Sequence, residues 1–145
     1  MAAGGRVDAA VLDAKLAELS RRLKRIETKR PASLKALAAD EDLQDILARN
    51  LEVSIQNCID IAYHLCAAHG AVAPSASGAF AALAGLGLVE RGLAQRLQRA
   101  VGFRNVLVHE YAAVEWKSVM QVLRTGTRDL ADFGKAVVGM LEDAD

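Results

Sequence analysis

The side chains with the clearest chemical potential lie in one short stretch, FRNVLVHEY, which runs from Phe103 to Tyr111. Arg104 can grip a phosphate through a planar fork of donors, and His109 can exchange a proton near neutral pH. These two groups suffice to cleave RNA without a metal, because the 2′-hydroxyl of RNA is itself the nucleophile. His109 would then act as general acid or base, and Arg104 would stabilise the charge that develops around phosphorus.

The spacing of these residues on a helix leaves their convergence open. Each helical residue turns by about 100°, so Asn105 and His109 share a face while Arg104 and His109 diverge by about 140°. A bend or a helix end near Val108, the long arm of Arg104, or a second copy of the chain across a two-fold axis could each bring the pair together. We expect Asn105 to orient His109 by a hydrogen bond. Without further context, such residues are most often a cap and a surface pair.

The composition predicts an all-α protein in which these residues are held by helices. The 145 residues suit one domain, 1–145, and 52% of them are hydrophobic while 4% are aromatic. No strand-like alternation is seen in the sequence. Lys plus Arg and Asp plus Glu both number 18, so net charge indicates neither a nucleic-acid nor a membrane partner, and phosphate binding would need a local cluster.

Hydrophobic periodicity predicts an antiparallel bundle of four main helices plus a short one. Leucines from Leu12 to Leu23, with Ile26, form a stripe on the first helix, about residues 8–28, whose other face is basic. Pro31 ends that helix, and Ser33 can cap a short turn. The remaining helices are expected after the acidic residues 40–42 as far as Gly70, over residues 75–84, over 90–108 and over 116–141.

The second long helix carries polar residues among its apolar ones. Its core stripe is Leu47, Leu51, Ile55, Cys58, Ala62, Leu65 and Cys66, and a second, mixed stripe is Val53, Asn57, Asp60, Ile61 and His64. The mixed stripe is typical of a partner surface, although a helix deep inside a bundle gives the same pattern. Asp60 and His64 could help orient the motif, and a structural role is equally compatible with their position.

Other sequence features favour structural over chemical roles. Cys58 and Cys66 lie about 12 Å apart along a helix, too far for a disulfide, and are interpreted as small buried residues. Cys66 and His69 could both touch a metal, but no further ligand is spaced to join them, so we expect neither metal nor cofactor. The uncharged run 71–89 contains Pro and several Gly and is a poor membrane span. No secretory signal opens the sequence, so a cytoplasmic location is expected.

The stretch RNLEVSIQNCIDIAYHLCAAHG, residues 49–70, followed by FRNVLVHEY, resembles the HepT family of the HEPN superfamily over about residues 45–141. Proteins of that family are bacterial toxins paired with a minimal nucleotidyltransferase antitoxin, MntA. The family signature is Arg, four residues, His, one residue, Tyr, and it is complete here as Arg104, His109 and Tyr111. Asn105 is the polar residue that such nucleases commonly carry after the Arg.

The resemblance implies a helical bundle that dimerises to bring two Arg and His motifs into one cleft, where RNA is cleaved without metal. It also implies an MntA-type antitoxin as partner, in a dimer or a larger hetero-oligomer, and transfer of AMP from ATP to Tyr111. An AMP group would add bulk and negative charge two residues from His109. The alternative is a non-catalytic HEPN subunit that binds nucleotide or partner, in which Tyr111 is an ordinary half-buried aromatic.

Overall fold

The computed structural model describes residues 7–110, 112 and 114–143, and every regular element within these ranges is helical. In chain order the elements are α1 (Ala9–Thr28), α2 (Leu34–Ala39), α3 (Glu41–Ala68), α4 (Ala76–Gly85), α5 (Arg91–His109), α6 (Trp116–Gln121), a π-helical turn (Val122–Gly126) and α7 (Thr127–Asp143). The expected all-α fold with four main helical segments is confirmed. It has two short helices, α2 and α4, rather than one, and a π-helical turn interrupts the expected last helix.

Side-chain contacts show that α1 and α3 run antiparallel. Lys15 of α1 pairs with Asp60 near the end of α3, whereas Arg22 further along α1 reaches Asn50 nearer the start of α3. The first helix begins where Asp8 Oδ1 accepts hydrogen bonds from the backbone N–H groups of residues 10 and 11. Such a cap satisfies donors that the first turn leaves unpaired. The predicted apolar stripe of α1 therefore faces the bundle, with Leu12, Leu19 and Ile26 fully buried.

The central helix is α3, which packs against α1, α4, α5 and α7. Asp40 caps its first turn, and Gly70, at φ 69°, follows its last turn in the left-handed conformation that favours glycine. Asn57 and Ile61 of the mixed stripe are buried, so for these two residues the deep-bundle interpretation is correct. Val53, Asp60 and His64 keep partial exposure.

The run 71–89 forms a loop and the short helix α4, and no helix among the described residues is long and apolar enough to cross a membrane. Phe80 of α4 packs edge-on against Phe133 of α7, with ring centroids 5.4 Å apart. Cys58 and Cys66 are free, buried thiols as expected, and burial raises the pKa of both. The core built by these contacts fixes α5, the helix that carries the candidate site.

Candidate functional site

Arg104 lies on the side of α5 that faces α3, and its guanidinium is held by uncharged groups. Nη2 donates a hydrogen bond to Gln56 Oε1 at 2.5 Å, and Nη1 donates to Asn105 Oδ1 at 2.9 Å. No carboxylate among the described residues lies within ion-pair distance of Arg104. The guanidinium therefore keeps its full positive charge and has unused N–H donors, as an anion-binding group requires.

Gln56 is itself fixed from the other side by Asp60. Its Nε2 donates to Asp60 Oδ1 at 2.8 Å, and Lys15 Nζ pairs with Asp60 Oδ2 at 3.0 Å. Because a carboxylate only accepts, Asp60 selects the amide nitrogen of Gln56 and turns the amide oxygen toward Arg104. The result is a chain of contacts, Lys15–Asp60–Gln56–Arg104–Asn105, that crosses from α1 through α3 to α5. We call it the polar relay.

Asn105 has a different partner from the one expected. Its side-chain oxygen accepts a hydrogen bond from Arg104. The structure describes both Asn105 and His109, and no hydrogen bond joins them. The expectation that Asn105 orients His109 is therefore wrong for the single chain. The neighbouring guanidinium reaches the amide oxygen first, since Arg104 has a long arm and an unneutralised charge. Asn105 instead steadies the exposed side of Arg104.

His109 is the last residue of α5 and is exposed to solvent. The helix closes beyond it where Glu110 N–H donates to Val106 O at 2.9 Å, so it ends one residue later than the possible end near Val108. Neither the helix end nor the arm of Arg104 brings the two motif residues into contact, because Arg104 turns toward α3. Within one protomer the described side chains of Arg104 and His109 thus remain on diverging faces.

Tyr111, the third residue of the motif, lies outside the described residues. The remaining histidines have partners that explain them structurally. His64 Nε2 accepts from the backbone N–H of Asp8 at 3.0 Å, so it anchors the start of α1 and is not part of the polar relay. His69 Nδ1 lies 2.8 Å from Leu65 O, whereas Cys66 Sγ donates to Ala79 O at 3.5 Å. The His69 and Cys66 side chains therefore contact different backbone carbonyls.

The basic residues divide between two clefts. Arg21, Arg22, Arg25 and Arg49 line an open cleft of about 540 Å³ between α1 and α3. Arg96 and Arg99 of α5 line a second cleft of about 460 Å³, together with Arg128 of α7. Arg91 borders neither. The basic side of the first helix and the arginines of α5 therefore do not converge on one surface.

Sequence reasoning missed two members of the polar relay, Gln56 and Lys15. The pair Gln56 and Asp60 carries a local signal, because residues four apart on a helix are neighbours. No pattern in the sequence links Gln56 to Arg104, which lies 48 residues further along the chain. The contact depends on how α3 packs against α5, so only the tertiary structure reveals it.

Comparison with known proteins gives consistent matches. The model of a family described as "Ribonuclease HepT-like" matches residues 18–137, which includes the second half of α1 that the sequence motifs did not cover. The mRNA nuclease HepT of Shewanella oneidensis is 33% identical over 95 residues, which are 65% of this chain and 71% of that protein.

Solved structures agree in fold over nearly the whole chain. A toxin–antitoxin structure with AMP-PNP matches with a TM-score of 0.84 and 27% identity, covering 90% of this chain and 98% of the other. The tri-AMPylated HEPN toxin of Shewanella oneidensis, solved in complex with an MNT antitoxin, matches with a TM-score of 0.83 and 28% identity, covering 89% and 97%.

Proposed function

The chain belongs to the HepT-like ribonuclease family, and from that premise we propose that it is the toxin of a bacterial toxin–antitoxin pair. Its activity is metal-independent cleavage of RNA by Arg104 and His109. The observation that carries this proposal is the state of Arg104, a fully charged guanidinium positioned by two neutral amides. A phosphate can displace or share such contacts, because they are weaker than an ion pair with a carboxylate.

The chemistry follows from the proton and charge requirements of phosphodiester cleavage. One imidazole of His109 takes the proton from the 2′-hydroxyl as its oxygen attacks phosphorus, and the bond from phosphorus to the 5′-oxygen breaks. A second imidazole gives a proton to the leaving oxygen. Arg104 stabilises the extra negative charge on the non-bridging oxygens. The products are a 2′,3′-cyclic phosphate and a free 5′-hydroxyl, so DNA cannot be a substrate.

This mechanism requires two chains. Within one protomer Arg104 and His109 diverge, and one histidine cannot serve as base and acid in the same step. A homodimer with a two-fold axis near the ends of α5 supplies two of each residue to one cleft. The exposed position of His109 at the end of α5 leaves it available to such a partner.

The first experiment is cleavage of RNA by purified protein in EDTA. We expect His109→Ala and Arg104→Ala each to lower cleavage by about 10² or more, the usual worth of a general acid or base or an oxyanion donor. His69→Ala and Arg91→Ala are matched controls that remove an exposed histidine and an exposed arginine outside the motif. End-group analysis should find cyclic phosphate. Equal cleavage by His109→Ala and wild type would exclude the mechanism.

Regulation is proposed at Tyr111, by analogy with the AMPylated relative. An MntA-type nucleotidyltransferase antitoxin transfers AMP from ATP to the Tyr111 hydroxyl, with loss of pyrophosphate, and places negative charge close to His109. Intact mass after incubation with the cognate antitoxin and ATP tests this step. The wild type should gain the mass of AMP and Tyr111→Phe should not; an equal gain in both would move the modification to another residue.

A second candidate function is a non-catalytic subunit that binds a nucleotidyltransferase. The separation of Arg104 from His109 in the protomer is the observation in its favour. It predicts tight association with the antitoxin and no RNA turnover by the isolated dimer at any salt concentration. Cleavage that depends on both motif residues would rule it out.

A further inference from the structure

The cleft between α5 and the last helical segment combines charge with an apolar floor. Arg99 of α5 and Arg128 of α7 stand at its rim, and the polar side chains of Gln121 and Thr125 line it. Its floor includes Phe103, which is half-buried, together with the buried Ile55 of α3. A volume of about 460 Å³ lies in the range of small-ligand sites. Cations around an aromatic and aliphatic floor suit a nucleotide, whose phosphate is anionic and whose base has a flat face that stacks on an aromatic ring.

Charge pairing separates this cleft from the other basic cleft. Three of the four arginines in the cleft between α1 and α3, namely Arg21, Arg22 and Arg49, are already engaged by Glu18 or Glu52, whereas Arg25 belongs to none of these pairs. In the cleft beside α7, Asp129 pairs with Arg96 at 2.9 Å. Arg99 and Arg128 have no carboxylate within ion-pair distance among residues 7–110, 112 and 114–143. Arg99 and Arg128 therefore bring positive charge to this cleft without an internal counter-charge.

The wall of the cleft is the π-helical turn Val122–Gly126, a rare conformation that often marks functional sites. Side chains satisfy carbonyls in and beside the turn. Thr125 Oγ1 donates to Gln121 O at 3.1 Å, and Leu123 O accepts from Thr127 Oγ1 and from Arg30, which reaches across from the segment after α1. Contacts from outside the turn thus hold the widened backbone in place.

We propose that this cleft binds one nucleotide of the RNA substrate away from the scissile bond, with its phosphate on Arg99 and Arg128 and its base against Phe103. The inference rests on the proposed ribonuclease function and extends it by locating a substrate contact outside the motif. Stacking of a base on an aromatic ring is tolerant of sequence, so the cleft contributes affinity rather than sequence recognition.

The cleft and the motif lie on different sides of α5 and are linked through consecutive residues of α3 and α5. Phe103 lines the cleft and Arg104 follows it in the sequence, while Ile55 lines the cleft and Gln56, the partner of Arg104, follows it. Arg99 precedes Arg104 by about 7.5 Å along the axis of α5. Arg99 and Arg104 are five residues apart, so their directions from the helix axis diverge by about 140°, and a strand that contacts both must cross α5.

The test measures RNA binding without turnover, in the His109→Ala background. The probe is a fluorescein-labelled single-stranded RNA of mixed sequence, about 12 nucleotides long, titrated by anisotropy at several salt concentrations. We expect Arg99→Gln and Arg128→Gln each to weaken binding roughly tenfold. Each should also lower the slope of log affinity against log salt by about 0.7, the value for one lost single-strand phosphate contact.

Arg91→Gln is the matched control, because it removes one cation from the same helix outside the cleft. Phe103→Leu keeps an apolar side chain but loses the aromatic face, and is expected to weaken binding about fivefold. Circular dichroism melts check that all variants fold. Indistinguishable affinities and salt slopes for Arg99→Gln, Arg128→Gln and Arg91→Gln would overturn the inference.

Free uridine 5′-monophosphate distinguishes the source of the nucleotide. We expect excess mononucleotide not to displace the RNA, since several contacts hold the strand. If the mononucleotide binds in a way that depends on Arg99 and Arg128 while the variants keep their affinity for RNA, the cleft binds a small ligand and the inference of an RNA contact is overturned. If the wild-type protein cleaves RNA but the cleft variants bind RNA as well as the protein without them does, this inference is refuted and the proposed function stands. If the cleft variants weaken RNA binding but the wild-type protein does not cleave RNA, the proposed function is refuted and the inference stands.

Discussion

Replacement of Gln56 by Glu tests whether Arg104 must be held by a neutral group. The substitution changes one nitrogen to oxygen and keeps the size of the side chain, but it sets a carboxylate against both neighbours in the polar relay. Toward Asp60 Oδ1, a donated hydrogen bond of 2.8 Å becomes a contact between like charges. Toward Arg104, a neutral acceptor becomes a full ion pair that competes with substrate phosphate.

The magnitude follows from the distances. Two unit charges about 2.8 Å apart repel by about 1.5 kcal/mol at the dielectric constant of water and by about 6 kcal/mol at an effective value of 20. The side chain of Asp60 is 35% exposed and Lys15 lies 3.0 Å from it, so we expect a value near the lower limit, about 2 kcal/mol. Part of this is offset by the new pair with Arg104, so the free energy of unfolding should change by no more than about 1 kcal/mol.

Activity should respond much more strongly than stability. A donor that stabilises transition-state charge contributes about 2.7–4 kcal/mol, and an internal carboxylate would remove a large part of it. We expect kcat of Gln56→Glu to fall by about 30-fold or more, with a smaller change in KM, because the lost interaction belongs to the transition state. Gln56→Ala removes the orienting hydrogen bond but leaves the charge of Arg104 free, so its kcat should fall only about five- to tenfold.

The assay is steady-state cleavage of a fluorogenic RNA, beside urea unfolding of each variant. Gln95→Glu, an exposed change of equal charge on α5, is the control for net charge. In the double variant Gln56→Glu with Asp60→Asn, amide and carboxylate exchange places, so stability should recover while kcat stays low. The requirement for a neutral partner would be refuted if Gln56→Glu had the kcat of the wild type. It would also be refuted if the double variant recovered kcat together with stability.

Further predictions concern glycine positions and buried thiols. Gly126→Ala would place a Cβ 2.9 Å from Val122 Cγ1 in the π-helical turn, so it should lower the free energy of unfolding by about 1–3 kcal/mol. Gly102→Ala would place its Cβ where nothing lies within 4 Å, so it should raise the free energy of unfolding by about 0.5–1 kcal/mol. Equal effects of the two substitutions in urea titrations would contradict the crowding at Gly126. Burial raises the pKa of Cys58 and of Cys66, so the folded protein keeps its thiol protons while the unfolded chain loses them above the ordinary thiol pKa of 9.0. Stability should therefore fall as pH rises beyond about 9, by up to about 1.4 kcal/mol per pH unit for each thiol, and the fall should be smaller in Cys58→Ala; an unchanged pH dependence in that variant would show that other groups cause it.

The sequence alone determined the helical elements and the motif. The 3.6-residue stripes, the capping Asp8 and Asp40, and Gly70 are local signals, and the helices begin and end close to where these signals predict. Arg104, His109 and Tyr111 were found because their order and spacing are a property of the chain itself. The roles of Arg104 and His109 were argued from their chemistry and from the family resemblance, that of Tyr111 from the resemblance alone, and all three roles remain proposals.

Only the tertiary structure decided what surrounds the motif. The partner of Arg104 is Gln56, because α5 packs its Arg104 side against α3, and Asn105 bonds the neighbouring Arg104 rather than the expected His109. The separation of the basic residues into two clefts likewise depends on which helices are neighbours. Periodicity fixes which residues share a face of one helix, but contacts between residues distant in sequence arise from the packing of several faces at once.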